Sequence, residues 1–327
     1  MAFRSRYDHA QLEQYFDRVC LPKSKRIFDV SKLDDNEKLD YLSLLHKHQL
    51  VKVPWENLTQ HYSWHRVVNV KPQHLFTKIV HNPGRGGYCM EANSFFGTVL
   101  LSLGFATYMA GARICRGNGM YGGWTHVVNL VNIGGAKYIT DGGFGPQEAP
   151  RPLALKAGVV ETHIGPAQMR VVYEHIPQFV DQTQRIWIYQ HRQNESAEWG
   201  SMYCFTDMEF TPEDILSMNF APWLNPQSFF THKVVAVRFT TTKTKEYEPG
   251  ADGSEALEGE IDGSLVLNQD VLKWRRNGEK VREVKFKDDG ERVAALKKYF
   301  GITLAQEDLE AIKGSAAEVS AAGMDHD

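Results

Sequence analysis

Apolar positions in the first hundred residues recur with the period of a helix. In residues 9–19, Leu12, Tyr15, Phe16 and Val19 form one apolar face, as expected for an amphipathic helix. The same spacing predicts further helices over residues 36–50, 71–82 and 89–105. We therefore predict a helical bundle over residues 1–105.

Short apolar runs bounded by glycine, proline and polar residues replace this pattern after residue 105. Such runs are typical of strands. They cover residues 106–114, 125–133, 136–141, 169–176, 185–193 and 198–206. We expect residues 106–210 to form a β-barrel or a strongly curved sheet.

The last third mixes helices and strands. Thr211 and Pro212 begin a helical pattern at 211–224, as an N-cap and a first-turn proline do, so we predict a linking helix within 211–230. Strand-like segments and a helix follow, and indicate an α/β lid over residues 231–313. They are residues 233–241, 263–277, 281–288 and, for the helix, 291–302.

Two segments carry few apolar residues. Residues 245–263 are acidic and glycine-rich, a composition that favours a mobile surface loop. Residues 314–327 are predicted to form a disordered tail. The chain as a whole is therefore expected to be an α+β multidomain protein, with a helical bundle, a central β-barrel and a C-terminal α/β lid in that order.

Composition excludes several classes of partner. The 327 residues are 42% hydrophobic and 24% charged, with a net charge of −3 and no dense run of lysine and arginine. Nucleic acid and anionic membranes are therefore poor candidate partners. No run reaches the roughly 18 apolar residues of a membrane span, and the N-terminus lacks the apolar core of a signal peptide. We expect a cytoplasmic protein, a monomer or weak dimer.

The cysteines indicate neither disulfides nor a metal. The four cysteines, at positions 20, 89, 115 and 204, have no regular spacing and no CxxC pair. This pattern argues against a disulfide framework and a structural zinc site. We expect no metal.

Cys89 follows a glycine turn, "RGG" at 85–87, and begins a predicted helix. A helix N-terminus lowers the pKa of a thiol, because its free N–H groups stabilise the thiolate. Cys89 is therefore a candidate nucleophile. The alternative is a buried structural cysteine, which is the commonest state of a free thiol.

His126 is the candidate base, because it begins the apolar strand "HVVNLVNI" after a glycine segment. Asp141 ends the next strand, in "YITDGGFGP". The turn at 132–135 lies between them, so we expect the two residues to lie directly opposite each other, roughly 5 Å apart at Cα. A carboxylate there would orient the imidazole, which with Cys89 makes a Cys–His–Asp triad. A strand-end histidine and a turn aspartate without such roles are the alternatives.

Five other histidines lie on helix faces or ends that look exposed, and we expect them at the surface: His9, His46, His48, His74 and His81.

Several motifs of the chain resemble those of arylamine N-acetyltransferases. They are "RGGYCMEAN" (85–93), "THVVNLV" (125–131), "YITDGGFG" (138–145), "VPWENL" (53–58) and "PQSFFTHKVVAVR" (226–238). The first resembles the nucleophile motif of the family, and the next two resemble its histidine and aspartate strands. Order and spacing agree over about residues 5 to 312.

The resemblance implies the same three-part fold and a ping-pong acyl transfer. Cys89 would take an acyl group from acetyl-CoA or another acyl-CoA as co-substrate, and pass it to an arylamine, hydrazine or N-hydroxyarylamine. His126 would serve as general base. No permanently bound cofactor is implied.

The resemblance also implies residues around the reacting sulfur. Gly122, Gly123 and Trp124 would line the coenzyme cleft, and Trp55 and Phe144 would form an aromatic wall for the acceptor. A further pair, Arg85 and Glu56, is expected to be a structural ion pair.

The sequence departs from the family pattern at two positions beside this pocket. Trp55 stands where phenylalanine is usual, and Pro146 follows "GFG". Fungal members of the family include some selective for malonyl-CoA. The extra carboxylate of such a donor needs a cation, for which Arg113 or Arg116 is a candidate. Acetyl is the expected acyl group, with malonyl or propionyl as the other options.

Two other functions stay open. A thiol hydrolase of the transglutaminase or papain kind uses the same triad, with water as the acceptor. The other alternative is a non-catalytic protein that binds coenzyme A or small aromatic molecules.

Overall fold

The structure, a computed structural model, describes residues 4–245 and 254–320. Its helices frame two antiparallel sheets. The α-helices are α1 (His9–Arg18), α2 (Asp35–Lys52), α3 (Pro72–Phe76), α4 (Cys89–Ser102), α5 (Pro212–Leu224), α6 (Ser254–Glu258), α7 (Asp289–Phe300) and α8 (Gln306–Leu309). The chain continues from α3 into a π-helical turn over Thr77–His81.

The strands form an eight-stranded and a five-stranded sheet. They are β1 (Trp55–Glu56), β2 (Ala106–Ile114), β3 (His126–Ile133), β4 (Ala136–Thr140), β5 (Leu153–Ala154), β6 (Glu161–Thr162), β7 (Gln168–Glu174), β8 (Ile186–Arg192), β9 (Gly200–Phe205), β10 (Val235–Thr241), β11 (Ile261–Asn268), β12 (Val271–Arg276) and β13 (Glu279–Lys285). The larger sheet has the order β5-β4-β3-β2-β9-β8-β7-β6, and the smaller one has the order β1-β10-β11-β12-β13.

The predicted helices of the first hundred residues are present. Asp34 caps α2, because its side chain accepts from the Glu37 amide at 2.9 Å while the Glu37 side chain accepts from the Asp34 amide. The helices share a buried core that contains Tyr15, Leu45 and Phe95. This core packs against the end of β3, so the helices and the larger sheet are fixed relative to each other.

His46 and His48 are fully buried, so their predicted surface position was wrong. The reason is that α2 is covered on more than one side. His48 bonds the Val19 carbonyl at 2.8 Å on one side, and Lys52 bonds Glu255 at 2.9 Å on another. Tertiary partners satisfy these polar groups, and α2 therefore has polar residues on its buried faces. His9, His74 and His81 are exposed as predicted.

The eight-stranded sheet curls around an apolar core that includes Val128, Ile139, Tyr189 and Phe205. Among the described residues its edge strands β5 and β6 do not pair with each other. The central unit is thus an open, curved half-barrel, where the sequence predicted a barrel or a strongly curved sheet.

The five-stranded sheet joins distant parts of the chain. Its strand β1 comes from the helical third, and Trp55 pairs with Val237 of β10. The segment predicted as one strand at 263–277 is two strands, joined by a turn at Gln269 and Asp270. The proposed domain boundaries remain a prediction, since β1 belongs to a sheet otherwise built from residues after 230.

Two segments predicted to be mobile are ordered in the part that the structure describes. Residues 254–258 form α6, where the buried Glu255 bonds both Lys52 and Arg238. Ala317 is 1% exposed, and its carbonyl accepts from Arg292 and Gln269. Residues 314–320 are therefore packed and do not form a disordered tail; residues 246–253 and 321–327 lie outside the described residues.

Two kinds of feature are absent from the described residues. No helix among them is both long enough and apolar enough to cross a membrane. Residues 4–245 and 254–320 also hold no cluster of three or more histidine, cysteine, aspartate or glutamate side chains with the geometry of a metal site.

Candidate active site

Cys89 is the first residue of α4, and Tyr88 alone separates it from the glycine turn. Gly86 is required there, because a Cβ on it would lie 1.8 Å from the Pro54 carbonyl oxygen. Cys89 is 3% exposed, and its Sγ lies 3.6 Å from the Thr125 carbonyl oxygen. The sulfur thus lies at the positive end of a helix and next to the start of β3.

The hairpin of β3 and β4 has a register two residues away from the predicted one. Ile133 pairs with Ala136, so Gly134 and Gly135 alone form the turn. Both have positive φ, +57° and +78°, as a two-residue hairpin turn requires. Asp141 follows β4 and lies diagonal to His126 instead of opposite it.

The side chains of His126 and Asp141 nevertheless meet. His126 Nε2 lies 2.8 Å from Asp141 Oδ2, and both side chains are buried. Diagonal neighbours on one sheet face are close enough for long side chains to touch. The expected contact is therefore present, although the predicted register was wrong.

Burial and charge oppose each other at His126. Burial lowers the pKa of His126, but the Asp141 carboxylate and a hydrogen bond with Cys89 outweigh it and raise that pKa to about 10. Burial likewise raises the pKa of Asp141, yet His126, Asn93 and Gly143 together hold it below its usual value. The pair is therefore stable as an imidazolium and a carboxylate at neutral pH.

Asn93, one turn along α4 from Cys89, holds the aspartate in place. Its Nδ2 donates to Asp141 Oδ1 at 2.8 Å and to the Val127 carbonyl at 2.7 Å. Its Oδ1 accepts from the Gly142 amide at 2.9 Å. Sequence reasoning missed Asn93, although its position four residues after Cys89 places both on one face of the helix.

His46 supports the same aspartate from α2. Its Nε2 donates to the Asp141 carbonyl oxygen at 3.0 Å. Burial lowers the pKa of His46 to about 4, against the raising effect of Asp141. His46 is therefore a neutral hydrogen-bond donor, and no pattern in the sequence around residue 46 indicates this contact.

The loop after Asp141 approaches Cys89 closely. A Cβ on Gly143 would lie 2.5 Å from the Cys89 Cα, so only glycine fits there. The next residue, Phe144, packs its ring edge-to-face with His126, with centroids 5.7 Å apart. Glu148 holds this loop, since its Oε2 accepts from the amides of Phe144 at 2.6 Å and Gly145 at 3.0 Å.

Glu148 is a second buried carboxyl group beside the aspartate. Burial raises the pKa of Glu148 well above its usual value, and the negative charge of Asp141 raises it further. Glu148 was not singled out from the sequence. Glu148 lies only four residues after Phe144, but this spacing indicates a hydrogen bond within the loop only when the turn between them is already known.

A pocket of about 340 Å³ opens over the sulfur. Trp55, Cys89, Arg116, His126 and Phe144 line it. The other wall comes from the end of α5 and the segment after it, with Ala221, Pro222, Asn225 and residues 227–230. This wall was predicted only as a linking segment, because nothing in its sequence shows that it folds back over Cys89.

Other predicted site residues lie beside the pocket. The guanidinium of Arg113 stacks on the Trp124 ring at 4.0 Å and donates to the Gly122 carbonyl at 3.3 Å. Neither Arg113 nor Gly122, Gly123 and Trp124 line the pocket around Cys89. Arg116, the other arginine considered, does line it.

Buried ion pairs hold the glycine turn. Arg85 Nε lies 2.9 Å from Glu56 Oε1, which confirms the predicted structural pair. Lys78 adds a second contact, at 2.7 Å from Glu91 of α4. Glu91 in turn accepts from the Tyr88 amide at 3.3 Å. These charges are paired away from the pocket and brace the start of α4.

Comparisons with known proteins agree with this fold. A sequence profile of the N-acetyltransferase family matches residues 38–246. An N-malonyltransferase of Fusarium pseudograminearum is 30% identical over 332 residues, covering 93% of this chain and 91% of that protein. An arylamine N-acetyltransferase of the chicken, Gallus gallus, is 29% identical over 303 residues, covering 90% of this chain and 94% of the relative.

A solved structure has the same fold. The arylamine N-acetyltransferase of Mycobacterium marinum, solved in complex with CoA, superposes with a TM-score of 0.71 at 22% identity. The superposition covers 94% of this chain and 99% of that one. Fold and family match together define an acyl-group transferase. The chain belongs to the arylamine N-acetyltransferase family.

Proposed function

We propose that this protein transfers an acyl group from an acyl-CoA to the amino group of an arylamine, hydrazine or N-hydroxyarylamine, with Cys89 carrying the acyl group as a thioester. The observation that carries the proposal is the bond of His126 to Asp141, at 2.8 Å, beside a pocket that His126 and Cys89 line together. Family membership supports the acyl-CoA as donor.

The first half-reaction charges the enzyme. The thiolate of Cys89 attacks the thioester carbonyl carbon of the donor, and a tetrahedral intermediate forms. When the intermediate collapses, the bond to the coenzyme sulfur breaks, and the His126 imidazolium gives that sulfur its proton. One thioester replaces another, so the step is nearly balanced in free energy.

The second half-reaction releases the product. An aromatic amine is weakly basic and therefore unprotonated at neutral pH, so its nitrogen can attack the Cys89 thioester directly. His126 takes the proton from the amine as a general base. The Cys89 thiolate leaves, an amide is formed, and the imidazolium and thiolate are restored.

The pocket also supports a choice of donor. Arg116 lines the pocket with Cys89, is exposed, and makes no ion pair with any described residue. Trp55 lines the same pocket, and its buried indole N–H has no hydrogen-bond partner among the described residues. Both groups suit a carboxylate. With the fungal relative named an N-malonyltransferase, this favours malonyl-CoA over acetyl-CoA as donor.

The function is tested by acyl transfer to an aniline, with and without the amine present. Cys89→Ala is expected to abolish transfer, because no thioester can form. Cys115→Ala is the matched control, since Cys115 lies at the isolated bridge to Tyr121 outside the pocket lining. Full transfer by Cys89→Ala would reject the proposal, and donor cleavage at an equal rate without amine would favour the hydrolase alternative.

The donor is tested by comparing acetyl-, propionyl- and malonyl-CoA on one aniline. Arg116→Gln is expected to lower kcat/KM for malonyl-CoA relative to propionyl-CoA by roughly ten- to a hundredfold, the usual range for a hydrogen bond to a charged group. Arg113→Gln is the matched control. An equal loss of kcat/KM for all three donors would indicate that Arg116 contacts the coenzyme, which the donors share, and not the malonyl carboxylate.

A further inference from the structure

A second cavity of about 290 Å³ lies between α4, the β2–β3 sheet and the start of α5. It shares no lining residue with the pocket over Cys89. Most of its wall is apolar, with Val70, Leu101, Met109 and Ile215. Its floor is different, because two polar side chains there, Asn129 and Ser94, have a buried oxygen without a partner among the described residues.

The amide of Asn129 has only one possible orientation. Its Nδ2 donates to the Asn93 carbonyl at 2.9 Å, and only the amide nitrogen can donate to a carbonyl. Its Oδ1 therefore points the other way, to 2.4 Å from where a Cβ on Gly97 would lie. Gly97 lines the cavity, and Asn129 is fully buried. An acceptor without a donor thus lies against Gly97, at the edge of this space.

Ser94 supplies the second group. It lies three residues before Gly97 on α4, so the two share one face of the helix. The Ser94 side chain is 5% exposed, and its Oγ has no partner among the described residues. A buried polar atom left unpaired costs roughly 1–3 kcal/mol. A molecule that bonds both Asn129 Oδ1 and Ser94 Oγ would remove that cost.

We propose that this cavity, which we call the α4–α5 cavity, binds a small uncharged aromatic alcohol such as a phenol. The ligand hydroxyl donates its proton to Asn129 Oδ1 and accepts from the Ser94 hydroxyl. A hydroxyl does both at once, whereas the nitrogen of an aromatic amine is a poor acceptor. The ring lies among Leu101, Met109 and Ile215.

Size and charge limit the ligand further. An apolar cavity of about 150 Å³ is enough for benzene, so the α4–α5 cavity has room for a substituted ring. At its rim Arg4 is paired with Glu209, and the Glu213 carboxylate lies alongside. Among the described residues that line the cavity Arg4 is the only cation, and because this pairing neutralises it, a carboxylate ligand is disfavoured.

The test follows the methyl resonance of Met109 in protein labelled at the methionine methyl groups, assigned with Met109→Leu. Phenol is expected to shift this resonance with saturation. Anisole, which cannot donate, and toluene are expected to bind roughly tenfold more weakly, as the loss of one or two buried hydrogen bonds implies. Ser94→Ala should reduce the preference for phenol over anisole.

Two controls separate this cavity from the pocket over Cys89. Leu101→Trp fills the α4–α5 cavity and should abolish the shift, while Val160→Trp, at an exposed position that does not line the cavity, should not. Alkylation of Cys89 with iodoacetamide should leave the phenol titration unchanged. Loss of the titration on alkylation, an unchanged titration in Leu101→Trp, or equal affinity for phenol and anisole would each overturn the proposal.

Discussion

Asp141 and His126 are bonded side chain to side chain at 2.8 Å although they are not opposite each other in the hairpin. The bond depends on a diagonal placement across β3 and β4, and on Asn93, which bonds the other carboxylate oxygen at 2.8 Å. The position of Asp141 is therefore set both by the β3–β4 hairpin and by Asn93 of α4.

Asp141→Asn is expected to lower kcat for acyl transfer by roughly a thousand- to ten-thousandfold, as loss of the orienting carboxylate does in other triads. The neutral amide no longer opposes the effect of burial on the pKa of His126. Asp207→Asn is the matched control, because Asp207 is an exposed partner of Lys137. Transfer by Asp141→Asn at the wild-type rate would show that the carboxylate has no part in the reaction.

Iodoacetamide alkylation of Cys89 should depend on the charge of Asp141. The pKa of His126 is raised to about 10, so its imidazolium persists through neutral pH and can stabilise a negative charge on the sulfur beside it. Asp141→Asn removes the charge that holds this pKa high, and we expect it to slow alkylation at neutral pH. An equal alkylation rate in wild type and Asp141→Asn would contradict the ion pair.

Glu148→Gln should keep most of the activity and stability, since an amide oxygen can accept from the Phe144 and Gly145 amides as the carboxyl does now. Glu148→Ala leaves both amides unpaired and should cost roughly 1–3 kcal/mol in the free energy of unfolding. It should also raise KM for the amine, because Phe144 lines the pocket. Urea unfolding and steady-state kinetics test this prediction. Equal unfolding free energies and equal KM values for the two variants would contradict it.

Gly143→Ala should be poorly tolerated, because its Cβ would lie 2.5 Å from the Cys89 Cα and backbone must shift. Gly123→Ala is the control for stability: a Cβ there meets nothing within 4 Å. The melting temperature should fall only in Gly143→Ala. If Gly123→Ala also raises KM for the donor alone, the coenzyme passes over that glycine as the family resemblance implies.

Acid should destabilise the protein through its buried neutral histidines. The folded-state pKa of His46, about 4, lies below the ordinary value of 6.5. Between these two values the unfolded chain binds a proton that the folded one does not, so stability is full above pH 6.5 and is lost as pH falls toward 4.

The contribution of His46 to this loss is at most roughly 3 kcal/mol. His46→Gln keeps a donor to the Asp141 carbonyl but does not titrate, so its free energy of unfolding should fall less steeply between pH 6.5 and 4. His65→Gln, at an exposed position, is the control. Equal slopes in urea unfolding for wild type and His46→Gln would contradict the assignment.

Patterns among neighbouring residues were enough to predict the local structure around the candidate site. The period of apolar residues placed the helices of the first hundred residues, and the pair Gly134–Gly135 placed the β3–β4 turn, because such patterns depend on neighbours in sequence. The predicted register was two residues off since both glycines, not one, occupy the turn. The predicted contact between the His126 and Asp141 side chains is present despite that error, because side chains on one face of a sheet also meet diagonally.

The distant groups that complete the site are brought together only by the packing of whole helices and sheets. His46 reaches the Asp141 carbonyl across 95 residues of chain. The pocket wall at 221–230 folds over Cys89, a position that the pattern of its own residues does not indicate. Arg113 stacks on Trp124 while Arg116, three residues later, lines the pocket. Such contacts depend on how whole units pack, and residue periodicity carries information only about the face that a residue occupies within its own helix or strand.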